Sequence, residues 1–188
     1  LVRSVPGGSV FVPESSITDE DRIFDYRLSY AKGAAIIHMI RQEVGNDDQF
    51  FIILREYLKR FRDNNASGED FRNVLEEMTG TDFGWFFEQW YYGEGYPIHS
   101  INWNHRNDTL YINSLQTTSA STPRFNVLLE YQVTINSRDT LISHRQESGY
   151  DQWRVYLPGK ITQVRADPRY WLLMRLAGIS HARDEGYN

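Results

Sequence analysis

An α+β fold is predicted: an N-terminal α-helical bundle followed by a small antiparallel β-sandwich. Up to Pro97 the apolar residues recur at helical spacing, and beyond it they alternate with polar ones. With 40% apolar and 14% aromatic residues the chain can bury a sizeable core, which argues against disorder. The change of period divides the chain into residues 1–97 and 98–188, with no internal repeat.

Residues 1–18 hold Pro6, Gly7, Gly8 and Pro13 and read as extended loop, with a short strand at Val10–Val12. Thr18 with Asp21 forms a capping-box pattern and opens a short helix through about Tyr26. From about Ser29 to Val44, Gly33, Ile36, Ile37, Ile40 and Val44 share one face, and Gly45 ends the helix. Asn46 with Gln49 caps the next helix, whose stripe is Phe50, Leu54, Tyr57, Leu58 and Phe61. Ser67 with Asp70 opens a third, with Phe71, Val74, Leu75 and Met78 inward and Gly80 at its end. Asp82 opens a fourth, on which Phe83, Phe86, Phe87, Trp90 and Tyr91 share a face. Short amphipathic helices with brief links pack as one bundle.

Beyond Pro97 the clearest strand is Phe125–Ile135, where Val127, Leu129, Tyr131, Val133 and Ile135 alternate with polar residues. Asn136-Ser137-Arg138 turns it into a partner through Leu141 and Ile142. Shorter strands are expected over 99–104, 109–115, 152–157 and 160–166, a number and spacing that fit a sandwich. Asp167-Pro168 opens a turn into Trp171–Met174, and the polar tail from Gly178 to Asn188 is expected to fray.

A net charge of −5 argues against nucleic acid as a partner, which needs a clustered basic surface. The absence of cysteine excludes disulfides and thiolate metal sites while permitting any compartment. No apolar run approaches the length of a membrane span. The chain opens Leu1-Val2-Arg3, without initiator methionine or signal peptide, as a processing product would.

Most residues that invite a chemical reading have a simpler one. The five histidines, His38, His99, His105, His144 and His181, never fall three or four apart and form no H-E-x-x-H, so no metal is expected to bind this chain. Asp19, Glu20, Asp21 and Asp25 lack the spacing and glycine of a calcium loop and suit a helix N-terminus. Arg55, Lys59, Arg60 and Arg62 are interleaved with Glu56 and Asp63, a solvated face. Trp85, Phe86, Phe87, Trp90, Tyr91, Tyr92 and Tyr96 could line a sugar site, although their helical spacing fits a core. Lys32 reads as solvated or salt-bridged. Gly33 costs a helix about 1 kcal/mol relative to alanine, which points to close approach of another backbone.

Two segments stand apart: Tyr30-Ala31-Lys32-Gly33-Ala34 opening an apolar helix, and Trp90-Tyr91-Tyr92-Gly93-Glu94-Gly95-Tyr96-Pro97. Together they resemble the C-terminal part of the catalytic region of zinc aminopeptidases of the aminopeptidase N and leukotriene hydrolase family. The resemblance is carried by residues 25–104 and extends more weakly through the sandwich. It implies the second half of a thermolysin-like domain buttressed by a β-domain. It also implies a peptide substrate in the parent enzyme, and zinc in that parent, with its ligands upstream of Leu1. The resemblance casts Tyr30 as the catalytic phenol that faces the scissile carbonyl opposite the zinc. A phenol suits that role because it donates a hydrogen bond without carrying charge.

No H-E-x-x-H occurs in the chain, so the metal-binding motif and general base that the family uses are absent. The expected reading is a fragment of a zinc metallo-aminopeptidase that is inactive alone. Its natural partner is the N-terminal half of the catalytic domain, and uncovered apolar surface would favour self-association. The alternative is a non-catalytic module binding glycans or another protein through an aromatic-rich surface.

Overall fold

The computed structural model describes residues 1–182. Helices come first and two β-sheets follow, the α+β class expected, in two compact units, Leu1–Glu94 and Gly95–Asn188. Among the described residues no helix is long and apolar enough to cross a membrane.

In the helical unit, two short 3-10 turns, Val2–Ser4 and Glu14–Ser16, precede α1 (Glu20–Ile23). The expected strand at Val10–Val12 is absent: the Val10 and Phe11 amides both donate to the Tyr91 carbonyl, at 3.2 and 3.1 Å. The cap of α1 is Asp19, which accepts from the Arg22 amide, rather than Thr18, and the helix is spent by Phe24. A π turn, Tyr26–Lys32, then runs into α2 (Gly33–Val44), so the long helix starts earlier than its 3.6-residue period indicated.

Local punctuation places the next helices as expected. Gly45 and Gly80 end α2 and α4 in the left-handed region, both at φ +67°. The Asn46 side chain caps α3 (Asp47–Arg60) by accepting from the Gln49 amide at 2.9 Å. Ser67 and Asp70 form a reciprocal capping box on α4 (Gly68–Thr79). The stripe of α3 differs from expectation: Phe50 and Ile53 are buried, whereas Leu58 is exposed. Phe71, Val74 and Leu75 of α4 point inward. Asp82 accepts from the Gly84 amide ahead of α5 (Gly84–Phe86), which widens into a second π turn, Phe87–Tyr92. Phe83, Phe86, Phe87 and Trp90 are buried there. As core, Phe86, Phe87 and Trp90 form no open platform for a sugar.

The second unit is a sandwich of β1 (Pro97–Arg106), β2 (Thr109–Thr118), β3 (Val127–Ile135), β4 (Arg138–Gln146), β5 (Tyr150–Tyr156), β6 (Ile161–Ala166) and β7 (Arg175–His181). One sheet runs β5-β2-β1-β7, the other β4-β3-β6. β7 corrects two expectations. The segment from Gly178 to His181 is strand rather than frayed tail, and β7 pairs parallel to β1, so that sheet is mixed. The tail beyond Ala182 lies outside the described residues. Asn136 and Ser137 both take positive φ, the geometry that closes a two-residue hairpin in step with strand twist. Asp167 makes the expected turn, its carboxylate accepting from the Trp171 and Leu172 amides. Glu130, buried on β3, is held by the Arg169 guanidinium through both oxygens. Gln116 acts as a surrogate strand for the loop before β3, donating to the Phe125 carbonyl at 2.9 Å and accepting from its amide at 2.7 Å.

His99 lies in the sandwich interior with Nδ1 3.2 Å from Ser114 Oγ, and burial pushes its imidazole down to about 4. In the unfolded chain the group titrates near 6.5. Between those values the unfolded chain takes up a proton that the folded chain refuses. Stability is therefore full above pH 6.5 and falls toward pH 4, by roughly 2–3 kcal/mol at pH 4.5. Urea unfolding of the β unit at pH 7 and 4.5 measures that loss. A His99→Asn chain, which cannot titrate there, shows a shallower acid limb.

Candidate functional site

Tyr30 is set by the π turn that carries it. The Asp25 carboxylate accepts from the Leu28 amide at 2.7 Å, and its carbonyl accepts from the Ser29 amide at 2.9 Å. At the far end the Gly33 amide reaches back five residues to the Leu28 carbonyl. Leu28 and Lys32 form the buried side of this turn, and Tyr30, between them in sequence, stays 52% exposed. The Tyr26 ring lies tilted beside it, centroids 6.2 Å apart. Tyr30 is thus a phenol on the outside of a firmly anchored turn.

Lys32 overturns its expected solvated role. It is 1% exposed, and its Nζ donates to the Gly8 and Gly93 carbonyls at 2.9 Å each. The cause was visible in the sequence: Leu28, Lys32, Ile36 and Ile40 recur every four residues, so Lys32 belongs to the apolar stripe. Gly33 is also corrected. A Cβ there would meet only Val10 Cγ1, at 3.9 Å, an ordinary contact and not a backbone. Gly33→Ala is therefore expected to stabilise the helical unit by roughly 0.5–1 kcal/mol, as a shift of the urea midpoint at unchanged slope.

Beside the turn is an apolar groove of about 500 Å³. Ser29, Gly33 and Ile37 form one wall and Leu54, Tyr57 and Leu58 of α3 another. Gly68 lines it too, and a Cβ there would lie 2.6 Å from the Tyr91 ring, so α4 and the last turn need glycine to approach. Leu58, 67% exposed, leaves the rim of the groove apolar and open.

The remaining candidates are dispersed. His105 Nε2 is 3.0 Å from the Leu157 carbonyl, His144 pairs with Asp151 at 2.7 Å, and His181 stacks on Trp103. His38 is half-buried on α2. Among the described residues no three His, Cys, Asp or Glu side chains come together as a metal site requires, so zinc does not fit this set of donors. Asp19 and Asp25 serve as caps, and Arg60 pairs with Glu56 and Glu77 on the solvated face.

Residues 8–90 match the Peptidase family M1 domain. Aminopeptidase N of Lactococcus lactis is 34% identical over 90 residues, 48% of this chain and 10% of that protein. Tricorn protease-interacting factor F2 of Thermoplasma volcanium is 37% identical over 92 residues, 47% of this chain and 12% of that protein. The chain thus spans about a tenth of the length of these curated relatives. A crystal structure of Legionella pneumophila aminopeptidase A in complex with aspartic acid shares the fold, with a TM-score of 0.65 at 13% identity, over 80% of this chain and 18% of that one.

Proposed function

We propose, on the premise that the helical unit is a segment related to M1 aminopeptidases, that it supplies the transition-state donor of a metallo-aminopeptidase whose metal ligands lie in another part of the parent. The observation that carries this reading is Tyr30: an exposed phenol on an anchored turn, inside the matched residues.

Bound zinc in the parent would polarise the scissile carbonyl; no residue described here holds it. Tyr30 would donate its hydroxyl proton as a hydrogen bond to the carbonyl oxygen as negative charge grows there. The bond strengthens in the transition state because the acceptor becomes anionic, so it lowers the barrier more than it tightens substrate binding. A peptide is the substrate class. In the parent, the open apolar groove beside the turn is covered by the other half of the catalytic domain; in its absence, that surface favours self-association. The β-sandwich accompanies the catalytic part as a structural domain.

On this reading the purified chain binds no stoichiometric zinc and hydrolyses no aminoacyl arylamide. Isothermal titration with zinc at neutral pH and an arylamide assay check both. One-to-one binding of micromolar or tighter affinity contradicts the division of labour, because it would require a ligand set within these residues.

A further inference from the structure

Four carbonyls of the loop at residues 7–11 are taken up by three cationic side chains from the helical turns that follow. Arg27 Nη1 donates to the Gly7 carbonyl at 2.8 Å, Lys32 Nζ to that of Gly8 at 2.9 Å, and Arg22 Nη2 to those of Ser9 and Phe11 at 2.9 and 2.7 Å. Lys32 differs from the two arginines in being fully buried and in having an acceptor at the other end of the unit, the Gly93 carbonyl. Gly8, at φ +94°, sits where a Cβ would lie 2.7 Å from a Leu28 methyl, so the loop seats directly on the turn.

We propose that Lys32 is a positioning residue for Tyr30: by tying the loop at Gly8 to the chain at Gly93, it fixes the inner side of the turn whose outer side presents the phenol. Its consequence for catalysis rests on the reading of Tyr30 given above, but the positioning does not. A buried ammonium is costly unless its donors are used. Here two carbonyls from segments eighty-five residues apart converge on it. A compact ammonium with rotatable donors suits two carbonyls brought together from distant segments. Burial lowers the Lys32 amine to about 8, opposed by the Glu94 carboxylate and reinforced by the Arg27 charge.

Amide hydrogen exchange on Lys32→Met tests the proposal, because the thioether keeps most of the length of the side chain and none of its donors. Exchange at Ser29 and Gly33 should accelerate by about tenfold or more, and the Tyr30 ring carbons should move toward free-tyrosine shifts. Amides of α4 between Phe71 and Leu75 should stay within about twofold of the parent chain. Unchanged protection at Ser29 and Gly33, or equal acceleration in α4, overturns the proposal.

If Lys32→Met does not fold, the unsubstituted chain decides by carbonyl-¹³C glycine labelling. The Gly8 and Gly93 signals should titrate together with the Lys32 ε-methylene, at a shared midpoint near 8. Carbonyl signals that stay flat through the lysine titration overturn it. Neither measurement requires Tyr30 to meet a substrate, so a failure of the peptidase reading would be seen separately, in turnover.

Discussion

Tyr30→Phe, in a polypeptide that joins this chain to the metal-binding half of its parent, is expected to lower turnover by about 100- to 1000-fold, the loss typical of one oxyanion donor. Substrate binding should change much less, because the hydrogen bond is strongest to the anionic oxygen of the transition state. Folding should be almost unaffected: the residue is half exposed, and the turn is held by Asp25, Leu28 and Lys32 rather than by the phenol. Kinetics at saturating and limiting substrate, with a melting curve on the same sample, separate the outcomes. A core tyrosine would behave in the opposite way, losing about 1 kcal/mol of stability with turnover per folded molecule unchanged.

Trp90→Ala is expected to be the most damaging single change to the helical unit. Its indole is 1% exposed, with the Phe86 ring 6.2 Å away. Truncation leaves a cavity where the last turn meets the bundle and costs about 3–5 kcal/mol, a large part of the stability of a unit this size. The thermal transition seen by far-ultraviolet circular dichroism should broaden or vanish. Trp85→Ala, at a half-buried neighbour, should lose clearly less. Equal losses at the two positions would mean that Trp90 is not the centre of this core.

What was legible in the sequence was local. The Asn46 cap, the Ser67–Asp70 box, the two glycine helix ends and the Asn136–Ser137 turn each follow from a few adjacent residues, and all stand in the structure. What was missed needed distant information or a different period. The π turn adds a residue that a 3.6-residue count cannot anticipate. β7 carries only weak alternation, and its parallel pairing to β1 is set by the sheet rather than by its own residues. Ile53 replaces Leu58 in the core because the side of α3 bearing Leu54 and Leu58 faces the open groove.

The site divided in the same way. The local Y-x-K-G-A pattern draws attention to Tyr30, whose role is a proposal, whereas the acceptors that hold Lys32 lie twenty-four and sixty-one residues away. A lysine in register with Leu28, Ile36 and Ile40 is the signal that would have found it. The zinc ligands that the resemblance implies are expected upstream of Leu1, and among the described residues no three His, Asp or Glu side chains come together.

The measurement that bears most directly on the division of labour is the sequence of the native gene upstream of the codon for Leu1. The proposed function predicts an in-frame H-E-x-x-H, followed by a further glutamate that completes a two-histidine, one-carboxylate zinc site with its general base. An unrelated domain there, or a stop codon, would contradict it and leave Tyr30 as an exposed tyrosine on a well-anchored turn.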